Sequence, residues 1–200
     1  MGNTSTLAAA DVKAHRARLF LASCVALIAT AMTFAVRGDT IGALKRTFDL
    51  TDPQVAWIMS GAFWGFTLSI FIGGQLCDLI GMGRIMFLAF AAHAIGTFVI
   101  MFADGFTMLA VGTLAIGIAN GFVEAAINPL VATVYADKKT HMLNLLHAWF
   151  PGGIVIGSLV CVALAKFSVL GLVPWPWKFA SVLLPTIVYG VLFLGLKLPA

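Results

Sequence analysis

Six apolar runs, each long enough to cross a lipid bilayer, occupy most of this 200-residue chain. A helix needs about 20 mostly apolar residues to cross about 30 Å of hydrocarbon. The runs cover approximately residues 19–44, 55–76, 85–103, 107–134, 142–165 and 179–196. Turn chemistry marks the joints: Asp52-Pro53, Gly81-Met82-Gly83, Asp104-Gly105, and Pro174 with Pro176. This pattern predicts an all-α membrane protein: a tail over residues 1–18, then a six-helix transmembrane domain over 19–200. Composition excludes the soluble alternative. The chain is 61% hydrophobic and 10% charged, whereas soluble domains carry about a quarter charged residues. Lipid is the solvent that balances such a sequence.

The net charge of +4 is no signal for nucleic acid, because the basic residues cluster at the ends of apolar runs. There they act as topology signals. With the N-terminus in the cytoplasm, the inner set is Lys13, Arg16, Arg18, Arg84, Lys138, Lys139 and Lys197. The outer set is Arg37, Lys45, Arg46, Lys166 and Lys178. The three basic residues before the first span carry most of this bias, which predicts a multi-pass plasma-membrane protein, in a bacterium the inner membrane. Trp175 and Trp177 suit an interfacial belt at the outer end of span six. The first run is too long for a cleaved signal peptide and is expected to remain as a span.

Several chemistries have no signature here. Cys24, Cys77 and Cys161 lack CxxC spacing and metal-ligand neighbours, so neither a disulfide framework nor a metal site is expected. There is no GxSxG elbow, HExxH, Walker A loop or dinucleotide fingerprint, so neither an enzyme nor a cofactor is expected. Glycine pairs at four-residue spacing, Gly61/Gly65, Gly117/Gly121 and Gly153/Gly157, predict close helix packing inside the bundle.

Polar residues inside the spans say more, because a charge at the bilayer centre costs about 2.5–3.5 kcal/mol on insertion scales. In span four, Asn120, Glu124 and Asn128 recur every fourth position and stack on one helical face. Glu124 is the one glutamate in the chain, and lies ~26 Å along its span at about 1.5 Å per residue. A carboxyl able to hold or release a proton there would couple proton movement to a conformational change. The plainer role is a structural carboxyl bonded to a neighbouring helix. Arg37-Gly38-Asp39 interrupts span one: either Gly38 breaks the helix at a binding site, or the span ends near Val36 and these residues form an outer loop. Asn144, His147 and Trp149 open span five before Pro151-Gly152-Gly153, which is expected to kink it. An amide, an imidazole and an indole on adjacent turns could bind a polyol, or could simply satisfy backbone groups near the cytoplasmic mouth. His93 in span three reads first as a packed hydrogen-bonding group and second as a proton relay.

Two stretches resemble the major facilitator superfamily. Gly74-Gln75-Leu76-Cys77-Asp78-Leu79-Ile80-Gly81-Met82-Gly83-Arg84 is similar to its loop motif G-x-L-a-D-r-x-G-r-k. Gly74, Leu76, Asp78 and Gly81 match; Leu79, Met82 and Gly83 replace basic positions, and Arg84 falls one place late. The resemblance implies a gating loop of Gly74, Asp78, Gly81 and Arg84 that pairs within its own half and against the other. It also implies the N-terminal half of the family fold, two inverted three-helix repeats.

Gly121-Phe122-Val123-Glu124-Ala125-Ala126-Ile127-Asn128-Pro129, followed by Leu143-Asn144-Leu145, looks like the fucose–galactose–glucose:proton symporter branch. Asp39 followed by Phe48-Asp49-Leu50-Thr51 resembles the same branch. That likeness implies that Glu124 carries the proton and that Asp39, with Asn144 less directly, binds sugar. His147 departs from the glutamine often found there. The expectation is secondary transport of a small solute, a sugar or polyol moved with protons, with candidate contacts from Asp39, Asn120, Asn128, Asn144, His147 and Trp149. The partners would be the solute, protons, lipid, and a second six-helix half or a second copy of the chain. The alternative is a truncated, non-transporting membrane protein or a structural or regulatory subunit.

Overall fold

The computed structural model describes residues 15–166, 174–196 and 198. Lys13 and Lys197, used above for orientation, lie outside them. Among the described residues every regular element is helical. Helix α1 is Arg16–Thr47, α2 is Asp52–Ile80, α3 is Met82–Met101 and α4 is Phe106–Val134. A 3₁₀ turn, Ala136–Lys138, leads to α5, Lys139–His147; α6 is Trp149–Ala165 and α7 is Pro174–Phe193. Because α5 and α6 together form the fifth span, six helical segments among the described residues are long and apolar enough to cross a membrane.

Local sequence explains the breaks. At the start of α2, the Thr51 side chain accepts from Gln54 N–H while the Gln54 side chain accepts from Thr51 N–H at 2.9 Å. This capping box, with Pro53 in the first turn, satisfies donors that the helix cannot pair internally. Between α2 and α3 the chain turns on Gly81 alone, at φ 88°, a conformation that favours glycine. In span five, Pro151 has no N–H to give the His147 carbonyl, and Gly152 N–H reaches Ala148 O at a long 3.4 Å. The helix therefore breaks at Ala148, one turn before the Pro-Gly-Gly run expected to kink it.

Two expectations fail. Helix α1 neither breaks at Gly38 nor ends at Val36; it continues to Thr47. Gly38 is exposed on the helix surface, and Thr40 Oγ1 bonds back to Val36 O at 2.7 Å across the same turn. One glycine costs only about 1 kcal/mol in a helix, too little to break one held on both sides. The tryptophan belt is also only half present. Pro174 and Pro176 form the first turn of α7, where proline is tolerated. This turns Trp175 inward against Phe48, with ring centroids 5.8 Å apart, and leaves Trp177 outward.

The packing has an internal symmetry. Helix α4 is flanked by α2 and α3, and α1 by α6 and α7. Exchanging the first three spans for the last three leaves this neighbour pattern unchanged, with α3–α7 and α1–α4 mapping onto themselves. Three spans per repeat reverse the direction of the second repeat, so the repeats are inverted. Spans one and four are the most covered; span two and span five, which correspond under the exchange, are the least.

Glycine makes both major contacts possible. A Cβ at Gly117 would collide with the Ala62 backbone, and one at Gly121 with the α2 backbone at Phe66 and Ile70. Gly153 lies against Ile28 and Ala31, and Gly157 against Met32 and Ala35. Gly61 is the exception: a Cβ there would meet nothing within 4 Å.

Candidate functional site

Asn120 lies at the centre of a hydrogen-bond chain that crosses four spans. Thr33 Oγ1 commits its one proton to Thr30 O at 2.6 Å. It must then accept from Asn120 Nδ2, 2.9 Å away. That orients Asn120 Oδ1 toward His93 Nε2 at 2.7 Å, so Nε2 carries the proton and donates. His93 Nδ1 is left to accept from the Tyr189 hydroxyl at 3.0 Å. All four side chains are buried. Buried polar groups are stable only when paired, and here the donors run one way from α7 through α3 and α4 to α1. His93 is thus held as a bonded core group, and both ends of the Asn120 amide are occupied.

One turn along α4 the environment changes. Glu124 is 8% exposed, and its Oε2 accepts from Asn128 Nδ2 at 3.0 Å. No cation pairs with this carboxyl among the described residues. Asn128 Oδ1 is buried without a partner among them. Pro129 next in sequence has no N–H to give the Ala125 carbonyl, and the Cys77 thiol of α2 fills that place at 3.7 Å. The Asn-Pro pair on α4 and the loop-motif cysteine therefore form one joint.

The remaining candidates lie elsewhere. Asp39 projects from α1 and accepts a hydrogen bond from Lys178 of α7 at 2.5 Å, an ion pair buried on the lysine side. Arg37, two residues earlier, points another way, stacked over Phe34 and Phe63 at 4.9 and 5.2 Å. Asn144, His147 and Trp149 are exposed on the uncovered side of the fifth span. Two apolar grooves, of about 380 Å³ beside Phe90 and Gly190 and about 610 Å³ beside Met32 and Leu184, contain none of the candidates. The candidates thus form a buried α4 face, an ion pair toward the Asp39 end and an exposed edge on span five.

The fold can be matched to one family. Residues 18–200 fit the family model of the Major Facilitator Superfamily. The chain belongs to the major facilitator superfamily. No curated protein matches it. Six spans in two inverted three-helix repeats are half of the major facilitator fold, and membership makes the chain a multi-pass membrane transport protein.

The stretch over residues 74–84, which resembles the superfamily loop motif, has a clear local geometry. Gly81 is the positive-φ hinge, and Gly74 faces open space on α2. Asp78 is exposed in the last turn of α2, where a carboxylate opposes the helix dipole. Arg84 does not relieve it; its guanidinium donates to the Ile80 carbonyl at 3.5 Å instead.

Sequence reasoning missed Thr33, Tyr189, Cys77 and Lys178. For Tyr189 and Lys178 no local pattern exists, since their partners are 96 and 139 residues away. Cys77 could have been found: a proline in a helix leaves a carbonyl for a neighbour to satisfy.

Proposed function

We propose that this chain supplies one six-helix half of a secondary transporter that moves a small polyhydroxylated solute, a sugar or polyol, together with a proton. The observation that carries this reading is Glu124, a buried carboxyl with one amide donor and no cation among the described residues. A group so placed can be neutralised by a proton with little rearrangement of its neighbours. Neutralisation would ease the passage of α4 through the low-dielectric phase of a rocking cycle. Asn128 fixes the carboxyl orientation, and the His93–Asn120–Thr33 chain holds α4 against α1 and α3 as a unit.

Solute contacts are assigned to Asp39, through its exposed oxygen, and to Asn144, His147 and Trp149 on the uncovered span five. Asn120 is assigned to positioning rather than direct contact, because its amide is committed. A second six-helix half or a second copy would face the uncovered sides of α2 and span five. Asp78, with no ion-pair partner among the described residues, is suited to a cation or a helix N-terminus on that second half. Lys13 and the basic residues Arg16 and Arg18 in the first turn of α1 support a cytoplasmic N-terminus in the plasma membrane.

The test is proton movement. Addition of the transported sugar to de-energised vesicles carrying the transporter should alkalinise the medium as protons enter with solute. Solute uptake with no pH change would exclude the symport reading while leaving transport intact.

A further inference from the structure

The Asp39 end of the bundle holds more buried positive charge than its described residues neutralise. Lys178 is 7% exposed and paired with Asp39. Arg37 is 4% exposed, and its Nε and Nη1 have no hydrogen-bond partner among the described residues. Asp39, the nearest carboxylate in sequence, is already committed to Lys178. A desolvated guanidinium costs several kcal/mol unless its donors are met. Stacking on Phe34 and Phe63 returns about 0.5–2 kcal/mol and leaves the in-plane N–H groups unmet, since cation–π contact uses the face of the group.

The surroundings suit a ligand that comes and goes. The α1 and α2 backbones hardly approach each other, and an aromatic cluster of Phe34, Phe63, Phe66 and Phe150 bridges α1, α2 and α6 instead. Phe63, one face of the Arg37 stack, is 53% exposed. Gly38, next to Arg37, has open space where a side chain would stand. The guanidinium thus lies beneath one exposed ring at the least covered side of the half, rather than sealed between helices.

We propose that Arg37 is an anion-recognition residue, its free guanidinium N–H groups receiving a carboxylate of the solute, so that the solute class is a polyhydroxylated acid. This rests on the solute-transport reading above and narrows it. A guanidinium presents two parallel donors to a carboxylate, a geometry that neutral hydroxyls cannot match. Phe34 and Phe63 flank the guanidinium faces and leave its in-plane N–H groups for the carboxylate.

The experiment is a tryptophan-fluorescence titration of the complete transporter in lipid nanodiscs, with D-gluconate, D-glucitol and acetate as probes. Gluconate should bind about tenfold or more tighter than glucitol. Arg37→Gln should remove that preference, leave glucitol within about twofold, and be partly reversed by Arg37→Lys. Equal binding of gluconate and glucitol overturns the inference and leaves the polyol reading standing. Gluconate and acetate binding through Arg37 without glucitol binding supports the anion site and removes the neutral polyol. Absence of binding by all three defeats both. The wild-type comparison of gluconate with glucitol needs no variant, so the test holds even if the glutamine protein does not fold.

Discussion

His93 and Asn120 meet at 2.7 Å in the middle of the bundle, and Thr33 settles the direction of the bond between them. The imidazole is thereby fixed with its proton on Nε2 and cannot pass a proton toward Asn120, whose oxygen only accepts. A clamp is the role this geometry supports.

If it is a clamp, His93→Leu and Asn120→Leu should each destabilise the protein by about 1 kcal/mol, near the upper part of the range for bonds between membrane helices. The double variant should cost less than the sum, because each single change orphans the other partner. Thermal unfolding in detergent measures the cycle; strictly additive losses would mean that the bond is idle.

Gly121→Leu should prevent folding of the half, because any side chain there enters the α2 backbone. Gly61→Ala, at a position with open space, should leave stability unchanged within about 0.5 kcal/mol. Monodispersity in detergent distinguishes the two, and a well-folded Gly121→Leu protein would contradict the close α2–α4 contact.

Much of the fold was legible because hydrophobic length is a strong signal: six runs give six spans wherever water is replaced by lipid. The glycine pairs, Gly61 apart, were legible for a similar reason, since helix contacts in lipid need small residues. Gly38 misled because an exposed glycine inside a well-paired helix is tolerated. Trp175 misled because the proline pair around it forms the first turn of α7 and not a joint before it. The α4 face was visible as a four-residue repeat. Its division into a committed Asn120 and a Glu124 with no cation partner among the described residues was not, because it depends on His93 and Thr33 from other spans. Arg37 and Asp39, two residues apart, point different ways on the regular helix α1, and Lys178 as the partner of Asp39 had no sequence signal.

Asp39→Ala should destabilise more than Lys178→Ala. Removing the carboxylate leaves a buried ammonium unpaired, whereas removing the lysine leaves Asp39 at a half-exposed position that water can solvate. A loss of about 2 kcal/mol is expected, below the roughly 3–5 kcal/mol of fully buried pairs. Denaturant unfolding measures it, and the Asp39→Asn/Lys178→Met pair should recover part of the loss.

Cys77→Ala should weaken the α2–α4 joint by about 0.5–1 kcal/mol, the net worth of one hydrogen bond. In a Pro129→Ala background the restored backbone N–H can reach the Ala125 carbonyl, and the same cysteine change should cost nothing. An undiminished cost in that background would show that the thiol matters only for packing.

The most direct test of proton coupling through Glu124 compares two modes of transport in proteoliposomes that contain the complete transporter. Glu124→Gln should abolish solute accumulation driven by a proton gradient while retaining solute exchange at equal pH. Gradient-driven accumulation that survives the substitution would contradict the assignment of the proton to this carboxyl.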